Sequence, residues 1–311
     1  MIKLFIDNNF IKTYVKRRPK ADNVVEFLHW SEFIELILKN HVSLYNTSLN
    51  MEIKRHDLIR LIEQPHKLDR LPDVFYKIKR DYKNYFALYF LDIESERAYS
   101  LQEKYGLLFL NPDMTLAILP KLNVKSFIIN KEFDWREIEQ MRHPNKFIIF
   151  NDPYLLSQTE AEIESNIVKF LSILLFSRKE KHIDLTFFCF DGFNNQKISP
   201  KVFEKKILNK FAHKYNISLG VVAFNYHNST LKKILHDRII LTNYFQIKSG
   251  HSFKYFDRNL QITIKTTLDF ESILNEDIDK TMHKILSRYK NLLADYKNNY
   301  TLFGNIAKIL K

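Results

Sequence analysis

Apolar and polar positions change period along this chain, and the clearest changes lie in its second half. KFIIF (146–150) is a short apolar run that stops at the turn-forming NDPY. In the SQTEAEIESNIVKFLSILLF that follows, Ile163, Ile167, Phe170, Leu171 and Leu174 share one helical face, and Ser157 and Glu160 have the spacing of a capping box. IDLTFFCF (183–190) and ISLGVVAF (217–224) are almost continuously apolar, as strands covered on both faces are. Between them SPKVFEKKILNKFAHKY (199–215) predicts a helix with Pro200 in its first turn. Beyond residue 224, RIILTN and YFQIKS form a hairpin-like pair and NLQITIKTTL predicts a further strand. DIDKTMHKILSRYKNLLADYKNN is a closing helix with Ile278, Met282, Ile285, Tyr289, Leu292 and Tyr296 on one face.

The first half is less regular. MIKLFID, YFALYFLD and GLLFL read as strands, while SEFIELILKN, HDLIRLIEQ and DVFYKIKRDYKNY read as helices. The pattern predicts two domains, an N-terminal α/β or α+β unit over 1–144 and a C-terminal unit over 145–311, divided near MRHPN (141–145). Alternation of apolar strands with amphipathic helices makes the second an α/β unit with a mainly parallel sheet flanked by helices.

Composition narrows the function classes. A net charge of +12 favours polyanionic partners, although the lysines are spread along the chain and do not mark a groove by themselves. The single cysteine, Cys189, excludes an internal disulfide or cysteine-cluster metal site, and its apolar surroundings suit a buried, inert thiol. The histidines show no metal-ligand spacing, and there is neither a Walker loop nor a G-x-G-x-x-G turn, so no cofactor and no metal is expected. No run approaches the roughly 18 apolar residues of a membrane span, and the cytoplasm is the expected location.

The stretch LHDRIILTNYFQIKSG (235–250) carries the candidate chemistry. His236 and Arg238 are two apart, so on extended chain they point to one side. A cation can neutralise phosphate there while a neutral imidazole attacks phosphorus or moves a proton. Asn243 follows five residues after Arg238, then come Gly250 and, one position late, Ser252. This spacing resembles the H-x-K-x4-D-x6-G-S motif of the phospholipase D-like superfamily. The stretch 145–265 resembles in particular the phospholipase D-like C-terminal domain of MIT-domain proteins, which binds phosphorylated lipid headgroups without catalysis. The resemblance implies that His236, Arg238 and Asn243 occupy the catalytic positions. It adds Lys248, Gly250, Ser252 and the strand-end Asp152 as candidate binding residues. Arg238 in the lysine place keeps the cation and improves bidentate phosphate contact. Asn243 in the aspartate place removes a carboxylate, so binding is expected to be kept and catalysis lost.

The expected function is therefore binding of a nucleic-acid phosphate backbone, as a homo-oligomer or as a subunit of a larger bacterial complex acting on foreign nucleic acid. The enzymatic alternative is a metal-independent homodimeric nuclease or phosphodiesterase with His236 as nucleophile. A scaffold, or a binder of anionic phospholipid headgroups, is the third. FIDNNFI (5–11) separately resembles the opening of PIN-type nucleases, in which a strand ends in aspartate and then asparagine. Asp7, Asp92 and Asp113 are the strand-end carboxylates that can be placed there. Asp152 and Asp191 are similarly placed in the second half, where a turn-forming role is the simpler reading.

Overall fold

The computed structural model describes residues 2–17, 23–39, 41–46, 49–52, 85–175, 182–257 and 259–311. They belong to two compact units, Met1–Asn123 and Val124–Lys311.

The first unit runs β1 (Lys3–Asp7), α1 (Asn8–Lys16), α2 (Val24–Lys39), β2 (His41–Asn46), β3 (Leu49–Glu52), β4 (Ala87–Phe90), α3 (Ser95–Tyr105), β5 (Leu108–Leu110) and α4 (Pro112–Ile118). Its sheet has the order β3-β2-β1-β4-β5. β1 is parallel to β2 and β4, β4 is parallel to β5, and β3 alone is antiparallel. β4 is buried along its whole length, consistent with its uninterrupted apolar sequence. Phe10, Tyr14, Phe33 and Phe90 pack as a ring cluster on this sheet. The expected strands over 1–7, 85–92 and 106–110 correspond to β1, β4 and β5, and the expected helix over 31–40 falls within α2. The helices expected over 56–64 and 73–85 lie outside the described residues, Tyr85 apart.

The second unit runs β6 (Lys125–Ile129), β7 (Phe147–Asn151), α5 (Glu160–Ile163), a π turn (Glu164–Val168), α6 (Lys169–Leu174), β8 (His182–Asp191), α7 (Pro200–Phe211), β9 (Asn216–Asn225), α8 (Ser229–Ile234), β10 (Ile239–Leu241), β11 (Phe245–Ser249), β12 (Thr266–Ser272), α9 (Glu276–Asp295) and β13 (Tyr300–Gly304). The eight-stranded sheet has the order β13-β9-β8-β7-β10-β11-β12-β6. The strand–helix–strand–helix–strand expectation holds for β7, β8 and β9, which are parallel neighbours. Every other pairing is antiparallel, so the sheet is mixed rather than mainly parallel. The connection explains one of these pairs: a parallel neighbour needs a long crossover, and the turn between β10 and β11 is too short to supply one.

Phe187 meets Phe203 of α7 at 4.9 Å, while Phe188 stacks on Tyr289 of α9 at 4.7 Å. Adjacent strand residues point to opposite faces, so helices cover both sides of the sheet. Three local expectations need correction. β6 pairs with β12, which moves the division between units from 144/145 to 123/124. The capping box is made by Thr159 and Glu162 instead of Ser157 and Glu160. β12 begins at Thr266, and residues 259–265 contribute only an isolated bridge between Phe256 and Ile262. β13 was not expected from the pattern. It closes on β9 with Gly304 opposite Gly220, where a Cβ on Gly220 would lie 2.6 Å from the Asn305 carbonyl oxygen. Among the described residues, no helix is long and apolar enough to cross a membrane.

One buried amide ties the π turn to the loop after β11. Asn166 Nδ2 donates to the carbonyls of Glu162 and Phe256, and its Oδ1 accepts from the amides of Tyr255 and Phe256. The side chain is 1% exposed, so water cannot replace these partners. Asn166→Ala is expected to lower stability by about 2–4 kcal/mol, since several buried backbone groups lose their partner at once. Urea denaturation followed by far-UV dichroism measures it, and Asn166→Asp should also destabilise because it removes the donor.

Candidate functional site

β7 ends in Asn151, Asp152 follows it directly, and these two side chains shape the site. Asn151 is fully buried, and its Nδ2 donates to the carbonyls of Leu235 and Asp237. That fixes the segment from α8 to β10, which carries His236, Asp237 and Arg238. Asp152 is also fully buried. Its Oδ2 accepts from Ser252 Oγ at 2.6 Å and the Phe253 amide at 2.9 Å, and its Oδ1 accepts from the Tyr154 amide. Burial raises its pKa above the ordinary carboxylate value, and these hydrogen bonds and the Arg238 charge oppose the rise. Asp152 thus anchors a loop and reaches the ligand side only through its field.

Beside this end of β7 lies a cleft of about 410 Å³. One wall is His236, Asp237, Arg238 and Ile239, entering β10, and a second is Gln246, Lys248 and Ser249 of β11. The third comes from α9, whose Thr281, Ile285 and Arg288 are spaced four and three residues apart and share a stripe. His236 and Asp237 are exposed, and Arg238 is half-buried. Lys248 pairs with Glu271 at 2.7 Å, and Arg288 makes a loose pair with Asp237 at 3.4 Å. The Nε groups of both Arg238 and Arg288 are buried without a hydrogen-bond partner. Gln246 is buried too, and its amide donates to Glu271. Buried donors without acceptors are costly, so two guanidiniums in this state leave hydrogen-bonding capacity for an anion.

The candidate residues divide accordingly. His236, Arg238 and Lys248 come together in the cleft, and Ser249, Gln246, Thr281 and Arg288 join them unannounced by the motif. Ser252 and Asp152 bind each other instead of facing the cleft. Gly250 is exposed beside Ser249, and a Cβ there would meet Thr266 Oγ1 at 2.7 Å. The catalytic place given to Asn243 is corrected. It lies at the opposite end of β10 from His236, fully buried, where its Oδ1 accepts from the Lys146 and Phe147 amides. With three strand residues between, it cannot reach a ligand held by His236. Arg288 could have been found only by noticing a cation on the apolar-stripe side of the closing helix.

Of the remaining carboxylates, Asp191 ends β8 and accepts from Gln196 Nε2 at 2.7 Å. In the first unit Asp7 ends β1, Asp92 follows β4 and Asp113 follows β5, all at the carboxyl ends of adjacent parallel strands. Asp92 accepts from Thr13 Oγ1, and Asp113 pairs with Arg17. Among the described residues, no three His, Cys, Asp or Glu side chains are grouped to hold a metal ion, so no metal is assigned. Cys189 is buried, and burial pushes its thiol far above the usual range, as expected of an inert thiol. No protein-family model matches the chain, and no curated protein matches it.

Asp152 carries a pH signature. Its folded pKa is raised, so its ionisation opposes folding as pH climbs past the unfolded value near 4. Ser252→Ala removes a donor that stabilises the ionised form. The variant is expected to lose about 1–3 kcal/mol at pH 7 and less at pH 4, where the protonated carboxyl no longer needs that donor. Denaturation at the two pH values checks the difference.

Proposed function

We propose that residues 124–311 bind the phosphate backbone of nucleic acid in the cleft beside β7, using a phospholipase D-like fold that keeps the binding part of its motif. The observation that carries this reading is the pair of guanidiniums, Arg238 and Arg288, lining one cleft with buried Nε groups that have no protein acceptor. Phosphate presents several strong acceptors to such forks, and Lys248 and His236 stand within the same walls. The net charge of +12 supports association with a polyanion through counterion release.

The binding function is favoured over phosphoryl transfer by the position of Asn243. A histidine nucleophile needs an acidic partner and a second histidine, and among the described residues lining the cleft His236 is the one histidine. A homodimer would have to supply the other.

Arg238→Ala and Arg288→Ala should each weaken binding of a labelled oligonucleotide by about 1.5–3 kcal/mol, while His236→Ala should lose about 1 kcal/mol. Fluorescence anisotropy across a salt series reads both affinity and salt slope, and removal of a phosphate-contacting cation should flatten the slope by about one. Unchanged affinity in both arginine variants would sink the proposal.

A second reading rests on the order β3-β2-β1-β4-β5, which puts Asp7, Asp92 and Asp113 at the carboxyl ends of three adjacent strands of the first unit, although they are not grouped as metal ligands. It makes that unit a nuclease of PIN type. Cleavage that is abolished by EDTA and by Asp7→Asn, yet survives Arg238→Ala, would support it. Cleavage insensitive to both would leave it without support.

A further inference from the structure

The ends of β8 and β9 carry aromatic rings on the cleft's side of the sheet. Phe188 and Phe190 are two apart on β8 and point to the same face. Phe188 stacks on Tyr289 of α9, the helix that also forms the cleft wall, while Phe190 meets Tyr226 at 5.7 Å. Tyr226 follows β9 directly and also contacts Phe193 at 5.6 Å, with the exposed His227 edge-on beside it. Packing on Phe190, Phe193 and His227 therefore fixes the half-buried Tyr226 ring. Lys232 Nζ sits over that ring, 3.5 Å from the centroid. That is the mobile tip of a lysine on α8, not core. α8 then leads to His236 and Arg238. Strands β9 and β10 are three steps apart in the sheet and Tyr226 lies further along the strand direction than Arg238, so ring and arginine stand more than about 14 Å from each other.

We propose that Tyr226 is a stacking platform for a nucleobase, which makes the ligand of this edge single-stranded nucleic acid. This rests on the cleft being a phosphate site. A base displaces the Lys232 ammonium from the ring, and the lysine turns to the adjacent phosphate, joined by Lys233 on the same helix. The backbone then runs along α8 to the arginine cleft, a path that alternates an aromatic face with cations as sequence-tolerant single-strand binders do. A duplex keeps its bases stacked inside and offers the ring nothing. A lipid surface would call for exposed apolar wedges, and none of the large exposed apolar side chains among the described residues comes from the segments lining the cleft.

The test compares a short oligothymidylate with an abasic backbone of equal length, in anisotropy against the full chain. The abasic strand should bind at least about fivefold more weakly, the loss of one stacked base. Tyr226→Phe should keep that difference and Tyr226→Ala should erase it, while competition by tripolyphosphate stays unchanged in both. Equal affinity of wild type for the two strands overturns the proposal without needing a variant. So does tighter binding of duplex, or of phosphoinositide-containing vesicles. If Arg238→Ala leaves tripolyphosphate binding intact, the cleft itself is not the phosphate site and the underlying reading fails instead.

Discussion

A fully buried carboxylate at the end of β7 holds the functional edge of the second unit together. Among the described residues, no cation pairs with Asp152 at bonding distance. Its charge is offset by Ser252 Oγ and two backbone amides, with Arg238 contributing at longer range. A carboxyl group in a protein interior is costly without polar partners, so the loop bearing Ser252 and Phe253 is held docked against it. Asn151, the residue before it, fixes the opposite loop through two carbonyls. One wall of the cleft, the entry to β10, and the loop that follows the β11 wall are therefore held by two consecutive residues at the end of β7. For the proposed anion binding, side chains held in place beforehand would lower the cost of ordering them on association.

The mixed sheet divides this unit into two structural regimes. Its parallel part, β7 to β9, is buried on both faces and supplies a scaffold. Its antiparallel part, from β10 onward, turns tightly enough to bring β11 beside β10 and so place Lys248 opposite Ile239 at the entry to β10 and Gln246 opposite Leu241 at its end. The cleft forms where the two regimes meet, at the carboxyl end of a parallel strand with an antiparallel neighbour, the kind of change in strand order at which α/β sheets leave room for ligands.

How far the sequence disclosed this depended on how local each cause was. β8 and β9 are legible because double burial forces uninterrupted apolar runs, and the β10–β11 hairpin because its turn is short. The helical stripe from Ile163 to Leu174 is legible although a π turn interrupts it, since all five residues face the core. Thr159 outcompeted Ser157 as the cap because a three-residue 3-10 turn at Leu155–Ser157 had already used that serine. The motif spacing located His236 and Arg238 in the cleft but misplaced Asn243, because a count of residues does not register that β10 carries the chain away from the site. Arg288, Gln246 and the anchoring of Asp152 by Ser252 arise from contacts across long separations. No window of sequence contains them. β13 is short and half-exposed, and its glycine is required by β9, not by its own pattern.

The edge strand β6 has a consequence for how the chain reaches this state. Ser126 meets Asp269, 143 positions later, and every other β6 pairing is of similar range. During synthesis from the N-terminus, KSFII must therefore wait as a solvent-facing β-prone segment until β12 emerges, and such non-local pairing is slow. Lys125 opens it, and Lys121 and Lys131 flank it in sequence. Charges flanking an unavoidable apolar strand discourage intermolecular pairing. Such lysines give the waiting segment charge that opposes edge-to-edge pairing, so part of the net basic charge has a use in folding that is independent of any ligand.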